Sequence, residues 1–289
     1  MAVGLAVVFG LLTALANGIM ITTQHIASTG RDSPRRGWAL VRYLFHHPLW
    51  LFGWLGAVAS LVFQALALHF GPLALVQPLL VSELVVALVL RRLWLGQHLQ
   101  AVAWGSAAAT TVALAIFLVV ATPHGPTWSP PASRWSAPTA VIATLVVIAI
   151  VIARFGSASR RAGGYAVATA LLWALEATFI KSATDVLSTR SLGSLLTSWP
   201  LDALVVCGVL GLVTEQAALH VGPLKVSQPI IVIVDPLASI LLGLAVYREQ
   251  LTRSSGAIAV AATAFVVVAI GVVIMTRSVP ATTTTVHRF

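Results

Sequence analysis

Four carboxylates interrupt stretches of this sequence that are otherwise almost entirely apolar: Glu83, Glu176, Glu215 and Asp235. A charged side chain at the centre of a bilayer costs about 3 kcal/mol, so such residues face a bundle interior and mark ion or solute paths. Glu83, Glu176 and Asp235 fall near the centres of their stretches, and we expect them to line a solute or proton site. The alternative is that they are neutral acids that only hold helices together.

Amide side chains extend this candidate site. Gln77 and Gln228 each precede a proline, as does Asp235, and Asn17 lies within the first apolar stretch. A proline inside a helix removes an N–H donor and bends the helix, and transporters bind ions and solutes at broken helices near mid-membrane. We therefore add Asn17, Gln77 and Gln228 to the site. Hydrogen bonding between helices is the structural alternative for the glutamines.

A second set of charges flanks one turn of the chain. Glu215 and Lys225 lie on either side of the turn at Gly222-Pro223, and so at similar depth on adjacent antiparallel helices. Two opposite charges at one depth predict an ion pair, which would act as a structural contact or a gate.

Other conspicuous residues have structural explanations. His69 and His220 lie beside two different turns and are expected on opposite faces of the membrane, so they cannot bind one metal ion. Lys181, near the end of its stretch, is expected to extend its amine to the membrane surface, and Glu249 counts among the few acids of the loops. Anchoring at the membrane interface explains the tryptophans at the ends of apolar stretches, which are Trp50, Trp94, Trp128, Trp135 and Trp199.

The elements that must position these residues are membrane-spanning helices. The chain of 289 residues is 58% hydrophobic and only 9% charged, whereas an ordinary soluble domain carries about 25% charged residues. A spanning helix needs about 20 apolar residues. Nine stretches qualify, which predicts an all-α polytopic membrane protein: 2–24, 48–70, 72–95, 100–122, 136–155, 163–187, 200–220, 222–247 and 253–276.

The basic residues predict the orientation, because cytoplasmic loops of membrane proteins are enriched in arginine and lysine. With the N-terminus outside, 11 of the 17 basic residues fall in cytoplasmic segments, 4 fall in external segments, and Lys181 and Lys225 lie within spans. We therefore expect a multi-pass protein of the plasma membrane with an external N-terminus and a cytoplasmic C-terminus. The cytoplasmic set is Arg31, Arg35, Arg36, Arg42, Arg91, Arg92, Arg154, Arg160, Arg161, Arg277 and Arg288.

An internal repeat organises the spans. The segment HFGPLALVQP at 69–78 recurs as HVGPLKVSQP at 220–229, so that Glu83 corresponds to Asp235 with one residue of slippage, and Asn17 to Glu176. Equivalent helices are five spans apart, so the copies are inverted across the membrane. The predicted division is a first repeat at 1–135, a linking span at 136–155, a second repeat at 156–277 and a disordered cytoplasmic tail at 278–289.

Several classes of activity lack a sequence signature. No P-loop, H-E-x-x-H or G-x-S-x-G motif occurs, so we expect neither an enzyme nor a cofactor. The formal net charge of +9 reflects topology signals in short loops, so nucleic acid is not an expected partner. The single cysteine, Cys207, lies within an apolar stretch and cannot form an intramolecular disulfide.

Two segments resemble the drug/metabolite transporter superfamily: HFGPLALVQPLLVSELVVALVL followed by GQHL, and HVGPLKVSQPIIVIVDPLASILLGLAVYREQLT. The first copy departs from the pattern, with His98 where Glu249 stands in the second. The nine spans and the Gly-Pro-Leu hairpin resemble the NIPA branch, which is associated with magnesium transport. The resemblance implies a helical basket of inverted repeats around a central cavity, and solute exchange or proton-coupled movement.

The function expected from these features is secondary transport of a small polar or cationic solute by alternating access, with a proton as the candidate coupling ion. Three alternatives stay open: a transporter of magnesium or another divalent cation, a lipid-carrier flippase, and a membrane scaffold or receptor that transports nothing. The expected partners are the solute and membrane lipid, and a homodimer is the candidate assembly.

Overall fold

The computed structural model confirms an all-α polytopic membrane fold. It describes residues 2–29, 46–96, 100–121, 123–124, 130–222, 224–251 and 254–278. Within these ranges nine spans are long and apolar enough to cross a membrane, and each matches a predicted stretch. The helices are α1 (Ala2–Thr29), α2 (Pro48–Phe70), α3 (Leu73–Leu80), α4 (Ser82–Leu95), α5 (Ala101–Ala121), α6 (Ser136–Ala153), α7 (Ala158–Thr189), the short α8 (Leu192–Leu196), α9 (Trp199–Val221), α10 (Leu224–Val246) and α11 (Ser255–Ser278).

Some predictions fall on residues outside this description. They concern the arginine-rich segment at 30–45, His98, Trp128, the side chain of Lys225 and the tail at 279–289. The predicted ion pair between Glu215 and Lys225 is among them.

The repeat is visible in the helices that precede the two turns. α2 and α9 are both 23 residues long, start with a proline in the first turn and end at Gly71 and Gly222. Pro fits the first turn of a helix, where the N–H that it lacks would be unpaired anyway. The two helices therefore begin and end at the same offset as the repeated segments.

Each of these helices packs antiparallel to the long helix that opens its half. A side chain at Gly71 would overlap Ala6, near the start of α1, and Gly222 approaches Ala158 and Ala162 of α7 in the same way. These close approaches require glycine, because no side chain fits between the backbones. In the second half, Thr169 of α7 also donates a hydrogen bond of 3.0 Å to Thr214 of α9.

The two turns lie at opposite ends of the bundle. Gly222 packs beside Ala162 near the start of α7, whereas the carbonyl of Gly71 accepts a hydrogen bond from Lys181 near its end. Ala162 and Lys181 are separated by about 28 Å along the helix, close to the ~30 Å thickness of a bilayer core. The repeated segments are therefore inverted, as the sequence predicts. We call the two ends of the bundle the Gly71 end and the Gly222 end.

The halves meet through their repeated helices. α3 packs against α10, and α5 packs against α11. Buried side chains of α3, including Leu73, Val76 and Leu79, join residues of α7 and α10 in one continuous apolar core. The central contact between the halves is thus made by the two segments that the sequence repeats.

The repeated spans differ in one respect from expectation. The first is interrupted at Val81, whose N–H bonds the carbonyl of Pro78 at 3.2 Å. The second, α10, is one helix despite Pro229 and Pro236. The span is therefore interrupted in the first copy and continuous in the second, although both contain a proline at the equivalent position.

Candidate functional site

Glu83 lies where the interrupted span resumes. It occupies the first turn of α4, where the partial positive charge of the helix N-terminus favours a carboxylate. The side-chain amide of Asn17 on α1 donates a 2.8 Å hydrogen bond to Oε2 of Glu83. The first half thus holds its central carboxylate with a neutral donor, which orients the acid without cancelling its charge.

The second half places two acids where the first has an amide and an acid. Asp235 on α10 corresponds to Glu83, and Glu176 on α7 corresponds to Asn17. The charges of Asp235 and Glu176 lie close enough to act on each other, and Oγ of Ser239 donates to Oδ1 of Asp235 at 3.1 Å. Two carboxylates in a protein interior repel unless a proton or a cation lies between them. The second half therefore concentrates two acids where the first half has one acid and one amide.

A single electrostatic group links the acids of the two halves. The charge of Glu83 acts on Asp235, that of Asp235 on Glu176, and that of Glu215 on Glu83. Glu83, Asp235 and Glu176 lie near the mid-length of their spans, yet all four acids are half-buried. The structure brings together the acids that the sequence singles out.

Glu176 lies against a gap in the neighbouring helix. A methyl group added at Gly208 of α9 would be 3.3 Å from Oε1 of Glu176. The missing side chain therefore leaves room for the carboxylate at the interface of α7 and α9. Glycine at this position is a feature of the site that the sequence analysis does not identify.

The predicted glutamines have different surroundings. Gln77 on α3 is only 1% exposed, and within the described residues its side-chain nitrogen has no hydrogen-bond partner. Gln228 on α10 is half-buried. The unpaired nitrogen of Gln77 leaves one donor available in the interior, which is costly unless a water or a solute accepts from it.

No preformed metal centre accompanies the acids. Among the described residues, no three acidic, histidine or cysteine side chains converge in a way that could hold a metal ion. Two apolar grooves, of about 280 and 500 Å³, lie on the bundle surface between α1 and α2 and between α5 and α11. None of the four acids lines either groove.

Sequence reasoning misplaces three residues near the Gly71 end. Lys181 does not reach the membrane surface: it is 6% exposed, and its Nζ lies 2.9 Å from Oε1 of Glu249. Glu249 is not an exposed loop acid, since its side chain is fully buried. Trp135 is not an interfacial anchor, because it is 4% exposed and stacks on Phe179 with ring centroids 5.0 Å apart. Trp199, 46% exposed, fits the interfacial interpretation.

The sequence holds one sign of the Lys181–Glu249 pair: the second copy of the repeat has Glu249 at the position where the first copy has His98. The pairing depends on which helix end meets which turn, and hydropathy carries no such information. Lys181 and Glu249 are 68 positions apart in the sequence.

Comparison with known proteins finds a relative that matches most of the chain, but this relative has no assigned activity. An uncharacterized protein of Corynebacterium glutamicum is 28% identical over 249 residues, which cover 85% of this chain and 86% of that protein. No protein family and no solved structure matches the chain. The sequence and fold define a multi-pass helical membrane protein.

Proposed function

We propose that this protein is a secondary transporter that moves a small polar or cationic solute by alternating access. The observation that carries the proposal is that inverted halves place Glu83, Asp235 and Glu176 near mid-span, with Glu83 hydrogen-bonded to Asn17 of a neighbouring helix. Inverted repeats allow one fold to expose such a site to either side of a membrane in turn. In this proposal Asn17, Gln77 and Gln228 supply the polar lining.

A positively charged cargo follows from the charge balance of the site. Among the described residues, none of the three acids pairs with a basic side chain. Buried acids without a basic partner need a proton or a cation to offset their charge. The solute and a coupling proton would compete for the same carboxylates, which is the simplest way to couple their movements.

The surrounding assignments are part of the same proposal. The protein lies in the plasma membrane with its N-terminus outside, so that the Gly71 end is external and the Gly222 end is cytoplasmic. This orientation is supported by the 11 to 4 distribution of arginines between the cytoplasmic and the external loops and span ends. The partners are the transported solute and the surrounding lipid.

The test begins with purified protein. A thermal-shift screen against divalent metals including Mg²⁺, amino acids and nucleosides identifies a stabilising solute, and uptake of that solute is measured in proteoliposomes. We expect Glu83→Gln, Glu176→Gln and Asp235→Asn each to reduce uptake to the level of empty liposomes, because each removes a charge that holds the cargo.

A matched control is Asp202→Asn. Asp202 is an exposed acid in the first turn of α9, so its loss should leave uptake unchanged. Wild-type uptake in all three folded site variants would refute the proposed site. A stabilising Mg²⁺ effect that disappears in Glu176→Gln would make the solute a divalent cation.

A further inference from the structure

A buried ionic contact joins the two halves at the Gly71 end. Nζ of Lys181 donates to Oε1 of Glu249 at 2.9 Å and to the carbonyl of Gly71 at 3.0 Å. The same carboxylate accepts from the backbone N–H groups of Leu73 at 2.7 Å and Ala74 at 3.0 Å. Glu249 therefore occupies the N-terminus of α3, where backbone donors and the helix dipole favour an anion.

The local backbone is shaped to deliver Glu249 to this position. Arg248 adopts a left-handed φ of 54°, which is uncommon and costly for a residue with a side chain. The N–H of Glu249 then returns to the carbonyl of Gly243 at 3.0 Å. A Cβ at Gly243 would overlap Oε2 of Glu249. The left-handed backbone at Arg248 and the missing side chain at Gly243 together allow the Glu249 carboxylate to reach this position.

Aromatic side chains enclose the contact. The ring of Tyr247 lies 4.9 Å from Nζ of Lys181, and its hydroxyl donates to the carbonyl of Thr178 at 2.9 Å. Trp135 packs edge-on against Tyr247 with centroids 6.0 Å apart. The next residue, Gln250, forms a β-bridge with His124, which follows α5 of the first half. The contact is thus buried, and it ties several segments of both halves together.

We propose that Lys181 and Glu249 form a latch that holds the Gly71 end closed and must open whenever the solute site is exposed there. The inference rests on the proposed transport function, because alternating access requires the halves to separate at each end in turn. α7 and Glu249 belong to the second half, and Gly71, Leu73 and Ala74 belong to the first. Separation at this end cannot occur while one carboxylate binds Lys181 and the start of α3.

In the sequence, the counterpart of Glu249 in the first copy is His98, which carries no carboxylate. The structure represents a form closed at the Gly71 end by a contact whose carboxylate the other copy lacks. Loss of either charge should shift the protein toward a form open at that end.

The test measures how fast a water-soluble thiol reagent reaches a buried position below the latch. It is done in detergent solution, so that the orientation of the protein in a membrane does not affect the result. Ala177 is 1% exposed and lies four positions before Lys181 on α7, hence on the same face and deeper in the bundle. In a Cys207→Ala background, Ala177→Cys reports access through its rate of labelling by a charged maleimide. We expect Glu249→Gln and Lys181→Met each to raise this rate about tenfold, which corresponds to about 1.4 kcal/mol.

Two further variants keep the test decisive. Gly243→Ala retains both charges but displaces Glu249, so it should also raise labelling even if removing a charge prevents folding. Thr169→Val is the matched control, because it removes a buried hydrogen bond of the same helix that lies wholly within the second half. Labelling in Thr169→Val should equal that of the parent.

The outcomes separate the latch from the transport proposal. Faster labelling in the latch variants, with no change in Thr169→Val, supports the latch regardless of the uptake assay. Unchanged labelling in folded latch variants, or an equal rise in Thr169→Val, overturns the latch and leaves the transport function to be judged by uptake alone.

Discussion

Asn17 holds the Glu83 carboxyl group in place by a hydrogen bond without forming an ion pair with it. A lysine at position 17 would pair with the carboxylate permanently, whereas an amide donates to it in either protonation state. The structure places the amide 2.8 Å from Oε2 of Glu83. In the other half Glu176 stands at the position of Asn17. The second copy therefore has an acid where the first has a neutral amide, which concentrates acidic groups in the second half.

Asn17→Ala should weaken the bundle modestly. Inter-helix hydrogen bonds in membranes average about 0.6 kcal/mol and reach about 1.7 kcal/mol, so we expect a coupling energy in this range from a double-mutant cycle of Asn17→Ala with Glu83→Ala, which removes the acceptor. The measurement is the free energy of unfolding in a denaturing-detergent titration. A parallel cycle of Thr169→Val with Thr214→Val provides the reference for a hydrogen bond outside the site. Strict additivity of the Asn17 and Glu83 changes would show that the hydrogen bond does not form.

At the scale of helices, small residues determine how closely the neighbouring helices pack against α7. α7 carries both Glu176 of the site and Lys181 of the latch, in a helix of 32 residues that is buried along much of its length. Its neighbours come near enough only because small residues face it, such as Gly208 beside Glu176. Small residues at helix interfaces are the general means by which membrane helices pack closely.

Gly208→Ala should disturb the site more than the fold. The added methyl group would lie 3.3 Å from Oε1 of Glu176, so the carboxylate must move by a few tenths of an ångström. Alanine in a helix is favoured over glycine by about 1 kcal/mol, which offsets this contact in stability. We expect uptake to fall several-fold while the free energy of unfolding stays near the parental value.

Gly105→Ala is the control for this change. A methyl group there has no neighbouring atom within 4 Å, so the substitution should gain helix propensity and leave uptake unaltered. Equal uptake in Gly208→Ala and Gly105→Ala would contradict a role for the gap beside Glu176.

At the scale of the whole molecule, the proposed site lies between the two ends of the helical bundle. The Gly71 and Gly222 turns lie at opposite ends of α7, and the acids lie between them. In the proposed mechanism, a solute that reaches the acids from one end leaves from the other. The proposed latch joins the halves at the Gly71 end, and its carboxylate has no counterpart in the first copy, where His98 stands.

The predicted orientation can be measured on a single helix. Ser159 and Ser188 are exposed residues at the two ends of α7. In a Cys207→Ala background, Ser188→Cys should react with an impermeant thiol reagent on intact cells, and Ser159→Cys only after permeabilisation, because the positive-inside rule places the start of α7 in the cytoplasm. The reverse pattern would invert the proposed orientation, and labelling of both from outside would refute a spanning α7.

The sequence alone determined the spans, the inverted repeat and the identity of the central acids. These features are local or periodic: an apolar stretch of 20 residues has few alternatives to a spanning helix, and a repeated segment five spans away must be inverted. Glu83, Asp235 and Glu176 stand out because an acid in such a stretch is rare whatever its neighbours are.

Only the tertiary structure decided how Lys181, Glu249 and Trp135 are used. By sequence each lies near the end of a span, where lysine commonly reaches the surface, acids are solvated and tryptophan anchors. In the structure the turn at Gly71 from the other half covers Lys181 and Glu249, and burial makes these two charges a contact that must be paired. Trp135 is buried against Phe179, Trp199 and Tyr247. The burial of Lys181 and Glu249 depends on how the two halves pack together, and the sequence pattern of either half alone does not predict it.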